Sequence, residues 1–338
     1  MIRYYGDPPY RAAVIHGGPG APGSAAGLAA MTGEICGVSE PMQSGKSIRE
    51  LIVELKGQLE EAGNVPVILI GHSWGAFLAA LFAGAHPEMV EKLILVGCPP
   101  LTAGYVPMIG ERRRWNLGPG EREEFDRLNL WLEQGTPERG RMEEPGMPER
   151  SREHADLLLA WLGELAEKGD CYDPLPCAAD HEMLTDAEQY SAVWGEAVKL
   201  RASGQLLRSF VALDCPITLI QGEQDPHPVC GVCGPLAGSG KEYRVHVLKC
   251  CGHSPWLERR ARGEFFEILK QELGQWLPRL GPDTVQPAFL PRTGGGVSKY
   301  RRRAKLLSVR LPTQKRRESI CMNRVAGSAA TAADAREK

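Results

Sequence analysis

Pro66-Val67-Ile68-Leu69-Ile70 runs straight into Gly71-His72-Ser73-Trp74-Gly75, and a small-residue stretch from Ala76 to about His86 follows. The continuous apolar run reads as a strand buried on both faces of a parallel sheet. The small-residue stretch reads as a helix. The turn between them must be sharp, and it holds Ser73 in a strained backbone conformation. Side chains two residues before and after the serine would clash, which explains Gly71 and Gly75. Ser73 Oγ then stands clear at the carboxyl end of the sheet. The following helix aims its first N–H groups at the same point. G-x-S-x-G alone is weakly specific, but between a strand and a helix it is strong. An inert serine in an ordinary tight turn is the competing reading.

Outward from this turn, Ala12-Ala13-Val14-Ile15 reads as a short strand that ends in the loop His16-Gly17-Gly18-Pro19-Gly20. Ala21 to Met31 reads as a helix and Glu34 to Val38 as a second short strand. Ser47 caps the next helix, with Glu50 completing a capping box, and that helix ends at Gly63. Lys92–Val96, Pro216–Ile220 and Tyr243–Leu248 are further strands, and Leu257 to Trp276 is a closing amphipathic helix. Strands alternating with helices predict an α/β fold, a mostly parallel sheet covered by helices on both faces. From Gly97 to Pro216 the pattern turns polar, with helical patches near 121–134, 152–168 and 183–201. The expected organisation is a sheet core at 1–98 and 212–280, an inserted helical cap at 99–211, and a basic, disordered tail at 281–338.

The chain of 338 residues is 43% hydrophobic and 24% charged, enough to bury a sizeable core. Its net charge of −2 hides an asymmetry. Residues 281–338 hold 13 Lys and Arg against 4 Asp and Glu, and the rest holds 27 against 38. The acidic body argues against a nucleic-acid-binding core. No stretch is apolar for long enough to span a membrane. No signal peptide is evident, so the ten cysteines read as reduced thiols and the expected location is cytoplasmic. The basic tail reads as solvated, with no partner assigned.

Serine is a weak nucleophile until a base takes its proton. His253, in Cys251-Gly252-His253-Ser254-Pro255, follows the last strand and lies at the same sheet edge as Ser73. His72, next to Ser73 in sequence, should point its side chain elsewhere. The base needs an acid to fix its tautomer and stabilise the imidazolium. Asp225 follows the Pro216–Ile220 strand and suits that role. Glu223 is a rival, and Asp214 precedes its strand and sits at the wrong end. An acyl-transfer intermediate also needs two N–H groups for its oxyanion. Trp74 and Gly18 are the candidate donors. His16, Gly17, Pro19 and Gly20 form the supporting loop, where glycine lets backbone approach substrate closely.

His16-Gly17-Gly18-Pro19-Gly20 combined with Gly71-His72-Ser73-Trp74-Gly75 resembles the α/β-hydrolase superfamily, nearest to its proline iminopeptidase-like branch. The resemblance covers residues 12–98 and 216–277, and Ser73, Asp225 and His253 fall in the chain order of that fold. It implies an α/β-hydrolase fold with a cap over the site, a serine hydrolase acting through an acyl-enzyme, and a small-molecule or short-peptide substrate, ester or amide. No cofactor and no metal are expected. Two features depart from the iminopeptidase pattern. Only about ten residues precede the first strand, so the leading antiparallel hairpin is expected to be missing. Cys36-Gly37-Val38-Ser39-Glu40-Pro41 stands where that branch has a strand ending in Asp-Gln-Arg-Gly. These departures motivate an alternative, a catalytically inactive binding protein on the same fold. Peptidase members bind the substrate amine with cap carboxylates; Glu153, Asp156, Asp180 and Glu182 are among the candidates, none of them assigned.

Weaker signals remain. Ser44-Gly45-Lys46-Ser47 hints at a phosphate loop, but Glu40 occupies the place of its first glycine. Cys230-Gly231-Val232-Cys233 and Cys250-Cys251 hint at zinc, but a second C-x-x-C is missing. Trp256 reads as a pocket wall or as packing under the last helix.

Overall fold

The computed structural model describes residues 1–134, 149–176 and 185–274. Seven strands form one sheet: β1 (Ile2–Tyr5), β2 (Tyr10–Ile15), β3 (Gly37–Pro41), β4 (Val67–His72), β5 (Val90–Val96), β6 (Ile217–Gly222) and β7 (Arg244–Leu248), in the order β1-β3-β2-β4-β5-β6-β7. Every neighbouring pair is parallel except β1 with β3. The helices are α1 (Ala26–Gly33), α2 (Ile48–Ala62), α3 (Trp74–Ala85), α4 (Val106–Asn116), α5 (Pro119–Gln134), α6 (Glu149–Asp170), α7 (Ala187–Ala202), α8 (Gln205–Val211), α9 (Cys230–Gly238) and α10 (Arg262–Gly274).

Strand alternation decides which face each residue serves. Ala13, Ile15 and Leu69 pack with Leu51, Leu55, Phe77 and Phe82 of α2 and α3. Ala12, Val14, Ile68 and Ile70 pack with Leu28, Phe265 and Leu269 of α1 and α10 on the opposite face. With apolar residues on both sides, the central strands read as uninterrupted hydrophobic runs. Between β5 and β6 the chain builds α4 to α8. Leu117, Phe125, Leu128, Leu162 and Leu165 form a separate small core among α4, α5 and α6. Val193, Ala197, Leu206 and Phe210 of α7 and α8 join the cluster on the α2 and α3 face.

Three local readings shift. The strand expected at Glu34–Val38 lies at Gly37–Pro41, because α1 runs on to Gly33 and Glu34 caps it. The leading hairpin is absent, as expected: β1 and β2 are not neighbours, and β1, the single strand before β2, pairs antiparallel with β3 instead. The closing helix starts at Arg262, with a short 3₁₀ turn at Pro255–Leu257 before it. Ser47 caps α2 by accepting from Glu50 N–H, but the Glu50 carboxylate takes the N–H of Lys46. The basic tail, Asp180 and Glu182 lie outside the described residues.

Candidate active site

Ser73 sits between β4 and α3 with φ 53° and ψ −120°, a conformation rarely adopted by residues other than glycine. Its neighbours explain how the turn closes. A Cβ on Gly71 would lie 2.4 Å from Gly75 O, and one on Gly75 would lie 2.3 Å from Ile15 O. Ser73 N–H donates to Val96 O at 2.9 Å, tying the turn to β5. Since α3 begins at Trp74, the N–H of that residue has no intrahelical acceptor. The loop after β2 faces this helix start. Gly18 adopts φ +52°, and the fully buried His16 ring holds the loop through Nδ1 to Gly17 O at 3.0 Å. Gly20 meets the helical insertion, where Asp186 N–H donates to its carbonyl at 2.9 Å.

Asp225 and His253 arrive from the loops after β6 and β7. Asp225 is buried, and its Oδ2 lies 2.9 Å from His253 Nδ1. An ionised carboxylate only accepts, so this nitrogen donates. Asp225 also accepts from Gln221 Nε2 at 2.6 Å, from His227 N–H at 2.8 Å and from His227 Nδ1 at 2.9 Å. Burial pushes the Asp225 carboxyl upward, but the two imidazoles outweigh it and hold the group far below the usual carboxylate range. Burial lowers His253, yet the charge and hydrogen bond of Asp225 outweigh it and hold the ring above the ordinary histidine value. For His227 burial and its neighbour His253 win, and its affinity for a proton falls. His72 falls well below the ordinary value for the same two reasons. Of the three clustered rings, His253 is the one built to take a proton.

The insertion is fastened to this site. Glu258, fully buried, accepts from Tyr172 N–H, Asp173 N–H and Gly252 N–H, joining the chain after α6 to the His253 loop. His253 N–H donates to Asp170 O at 2.9 Å, and the Asp170 carboxylate pairs twice with Arg113 at 2.7 Å. Ser73, Trp74, Gly18, His253 and residues of α4, α6 and α7 line one cavity of about 670 Å³. That is ample for a small-molecule substrate.

The family described as "Alpha/beta hydrolase family" matches residues 16–267. The chain belongs to that family. Curated relatives match it only locally. Epoxide hydrolase 4 of Mus musculus is 43% identical over 49 residues, 14% of each chain. The sn-1-specific diacylglycerol lipase ABHD11 of Mus musculus is 36% identical over 61 residues, 18% of this chain and 20% of that one. The match thus spans about a seventh to a fifth of the length of these relatives. Among solved structures, VinJ superposes with a TM-score of 0.53 at 16% identity, over 82% of this chain and 95% of VinJ. A carboxylesterase structure from Nitrososphaera gargenis superposes with a TM-score of 0.50 at 16% identity, over 81% and 94%. These likenesses agree with the α/β-hydrolase fold read from the strand order.

In this alpha/beta hydrolase the structure brings Ser73, His253, Trp74, Gly17, Gly18 and Pro19 to one cavity and puts Asp225 behind His253. His72 differs from expectation only in what it does. Its ring tucks beneath the His253 loop, donating through Nε2 to His253 O at 3.3 Å, with 4.7 Å between ring centroids. Trp256 serves both expected roles, lining the cavity and packing against Phe265 of the last helix, and its ring also meets His72 edge-on. Among the cap carboxylates, Glu153 is exposed, and Asp156 accepts from Ala187 N–H. The phosphate-loop hint has its N–H groups occupied: Ser44 and Gly45 donate to Glu54. The eight described cysteines form no disulfide with one another. Among the described residues, the group with metal-ligand spacing is Asp170, His227 and His253, with ligand atoms within 4.8 Å of one another. Asp170 is taken by Arg113 there, and both rings by Asp225. Sequence reasoning missed His227 and Gly97. His227 follows Asp225-Pro226 in a loop without periodicity. Gly97, at the end of β5 with φ +58°, leaves room for the His253 ring, which a Cβ would meet at 2.8 Å.

Proposed function

We propose that this protein is a serine hydrolase that cleaves esters through an acyl-enzyme. The observation that carries the proposal is the buried Asp225–His253 hydrogen bond beside a serine held at positive φ. With Nδ1 committed to Asp225, His253 Nε2 is the nitrogen left for Ser73. It takes the Ser73 proton as Oγ attacks the carbonyl carbon. The Trp74 and Gly18 N–H groups receive the oxyanion. His253 then protonates the departing alcohol. In the second half it takes a proton from water, whose oxygen attacks the acyl carbon, and it returns that proton to Ser73 Oγ as the acyl–oxygen bond breaks and the acid is released. Asp225 stays ionised throughout, as its depressed carboxyl requires.

An iminopeptidase-like reading needs a carboxylate for the substrate amine; Asp170 is engaged by Arg113, which leaves Glu111 and Glu167 of the cavity wall as the groups that would bind it. Epoxide opening, suggested by the short matches, uses a carboxylate nucleophile by this fold's usual route, and position 73 is a serine. We place the protein in the cytoplasm, where free thiols persist; among the described residues no helix is long and apolar enough to cross a membrane. The test is a fluorophosphonate probe with Ser73→Ala as control, followed by p-nitrophenyl esters and proline p-nitroanilide. Labelling of the wild type alone with ester turnover is expected. Anilide cleavage would favour the iminopeptidase reading. A folded wild type that does not label would turn the reading to an inactive binding protein.

A further inference from the structure

Of the arginines that line the cavity, Arg201 is the one that no carboxylate of the described residues meets. It sits in the last turn of α7, only 5% exposed, and lines the same cavity as Ser73. Its guanidinium lies over the ring of Phe77, one turn into α3, at 5.3 Å from the centroid, and over that of Trp194 at 5.7 Å. Nε donates to Pro100 O at 3.0 Å. A guanidinium carries five donors in a fixed fork. Among the described residues no carboxylate pairs with this one. The other arginines of the cavity wall are different: Arg113 is held by Asp170 and Arg114 by Asp126.

Burying a cation is costly unless an anion meets it. Aromatic faces offset part of that cost, since a ring attracts a cation but accepts no directed in-plane hydrogen bond. The cation is thus held over two rings with Nε bound to Pro100 O, on the cavity wall, and no carboxylate of the described residues meets the rest of its fork. Flat, pre-oriented and desolvated, such a fork suits a carboxylate, which it meets with two parallel hydrogen bonds.

We propose that Arg201 binds a carboxylate of the substrate, so that the preferred ester carries a second, negatively charged group, as in a monoester of a dicarboxylic acid. This rests on the Ser73 reading for its chemistry, but not for its binding arm. The first experiment compares kcat/KM for mono-p-nitrophenyl glutarate with that for p-nitrophenyl pentanoate, which has the same chain length without the charge. The wild type is expected to favour the charged ester by about tenfold or more. Arg201→Met should collapse that ratio and Arg201→Lys should keep part of it. Equal losses on both esters, or an unchanged ratio, would overturn the proposal and leave Arg201 a packing residue. The second experiment titrates monomethyl glutarate and methyl pentanoate into the Ser73→Ala protein by calorimetry. Tighter binding of the charged ester, lost in Ser73→Ala/Arg201→Met, supports the site even if Ser73 never turns over. Equal affinity for the two overturns it without any arginine variant having to fold. Absence of fluorophosphonate labelling alongside selective binding would sink the enzyme reading and leave the carboxylate site standing.

Discussion

His227 lies stacked on His253, with ring centroids 4.2 Å apart and 25° between the planes, and the Nδ1 atoms of both rings end on the carboxylate of Asp225. Two imidazoles thus divide one negative charge. The charge that His227 draws on is charge His253 does not have. A base works when neutral, and Asp225 holds His253 above the ordinary 6.5. Activity should therefore rise with pH through a limb above 6.5 and fall as acid protonates the ring. In His227→Gln the carboxylate serves His253 more fully, and the limb should move to higher pH. A pH profile of kcat/KM on a p-nitrophenyl ester reads this directly. A limb that stays in place would mean His227 only fills space.

Asp225→Asn should keep the fold and lose most of the rate. The amide leaves the carboxylate position but removes the charge that raises His253, and its NH₂ can force the wrong tautomer. A loss of about 10³ to 10⁴ in kcat is the scale for removing this role from a serine, histidine and aspartate set. Burst kinetics with a fluorophosphonate would show slow labelling of Ser73 in a protein with an unchanged circular dichroism spectrum. Labelling at the wild-type rate would separate Asp225 from the chemistry.

Gly97→Ala tests placement rather than charge. The added Cβ would lie 2.8 Å from both Cε1 and Nδ1 of His253, at a residue with φ +58°. Something must move, and the imidazole is the more mobile partner. A displacement near 1 Å in a reacting group costs about 10²-fold in rate. Activity should fall by that order while thermal stability falls modestly, the latter from the strained φ. Equal losses for Gly97→Ala and for an alanine at the open Gly57 would contradict this, because no atom lies within 4 Å of a Cβ there.

The Ser73 turn was legible because most of its cause is local. Gly71 is required by the approach of Gly75 within the same turn, and the flanking strand and helix announce themselves by composition; the contact that requires Gly75 comes from Ile15 of β2 and is not local. Asp225 and His253 were legible because each follows a buried strand, and parallel strands deliver such loops to one edge. The strand β1 escaped because four residues with mixed exposure carry no periodicity signal. The strand β3 was placed three residues early, since Ile35 and Cys36 continue an apolar run that geometry assigns to the turn after α1. Arg201 escaped for another reason. A basic residue in the last turn of a helix is what the helix dipole favours at a surface, so the sequence gives no hint that this one is buried.

Behind the site, Glu272 of α10 binds the sheet through Lys92 of β5, Thr218 of β6 and Arg244 of β7. Lys92 and Glu272 are each only 2% exposed at the side chain. Burial pushes the Glu272 carboxyl up, but its hydrogen bonds to Lys92, Arg244 and Thr218 win and hold it at about 2. A carboxyl depressed on folding stabilises the fold above its unfolded value near 4.3 and loses that contribution as pH falls toward about 2. Part of the acid sensitivity between those values should therefore belong to Glu272. Glu272→Gln removes the charge that Lys92 faces, and breaking a buried pair costs about 3 kcal/mol or more. Urea unfolding at pH 7 should show that loss, and the gap between variant and wild type should narrow as the pH approaches 3. Replacing both partners, as Lys92→Met with Glu272→Leu, should recover much of it, since the buried charge itself is then gone. A double variant no better than the single one would show that Arg244 and Thr218, rather than Lys92, set the value of this carboxylate.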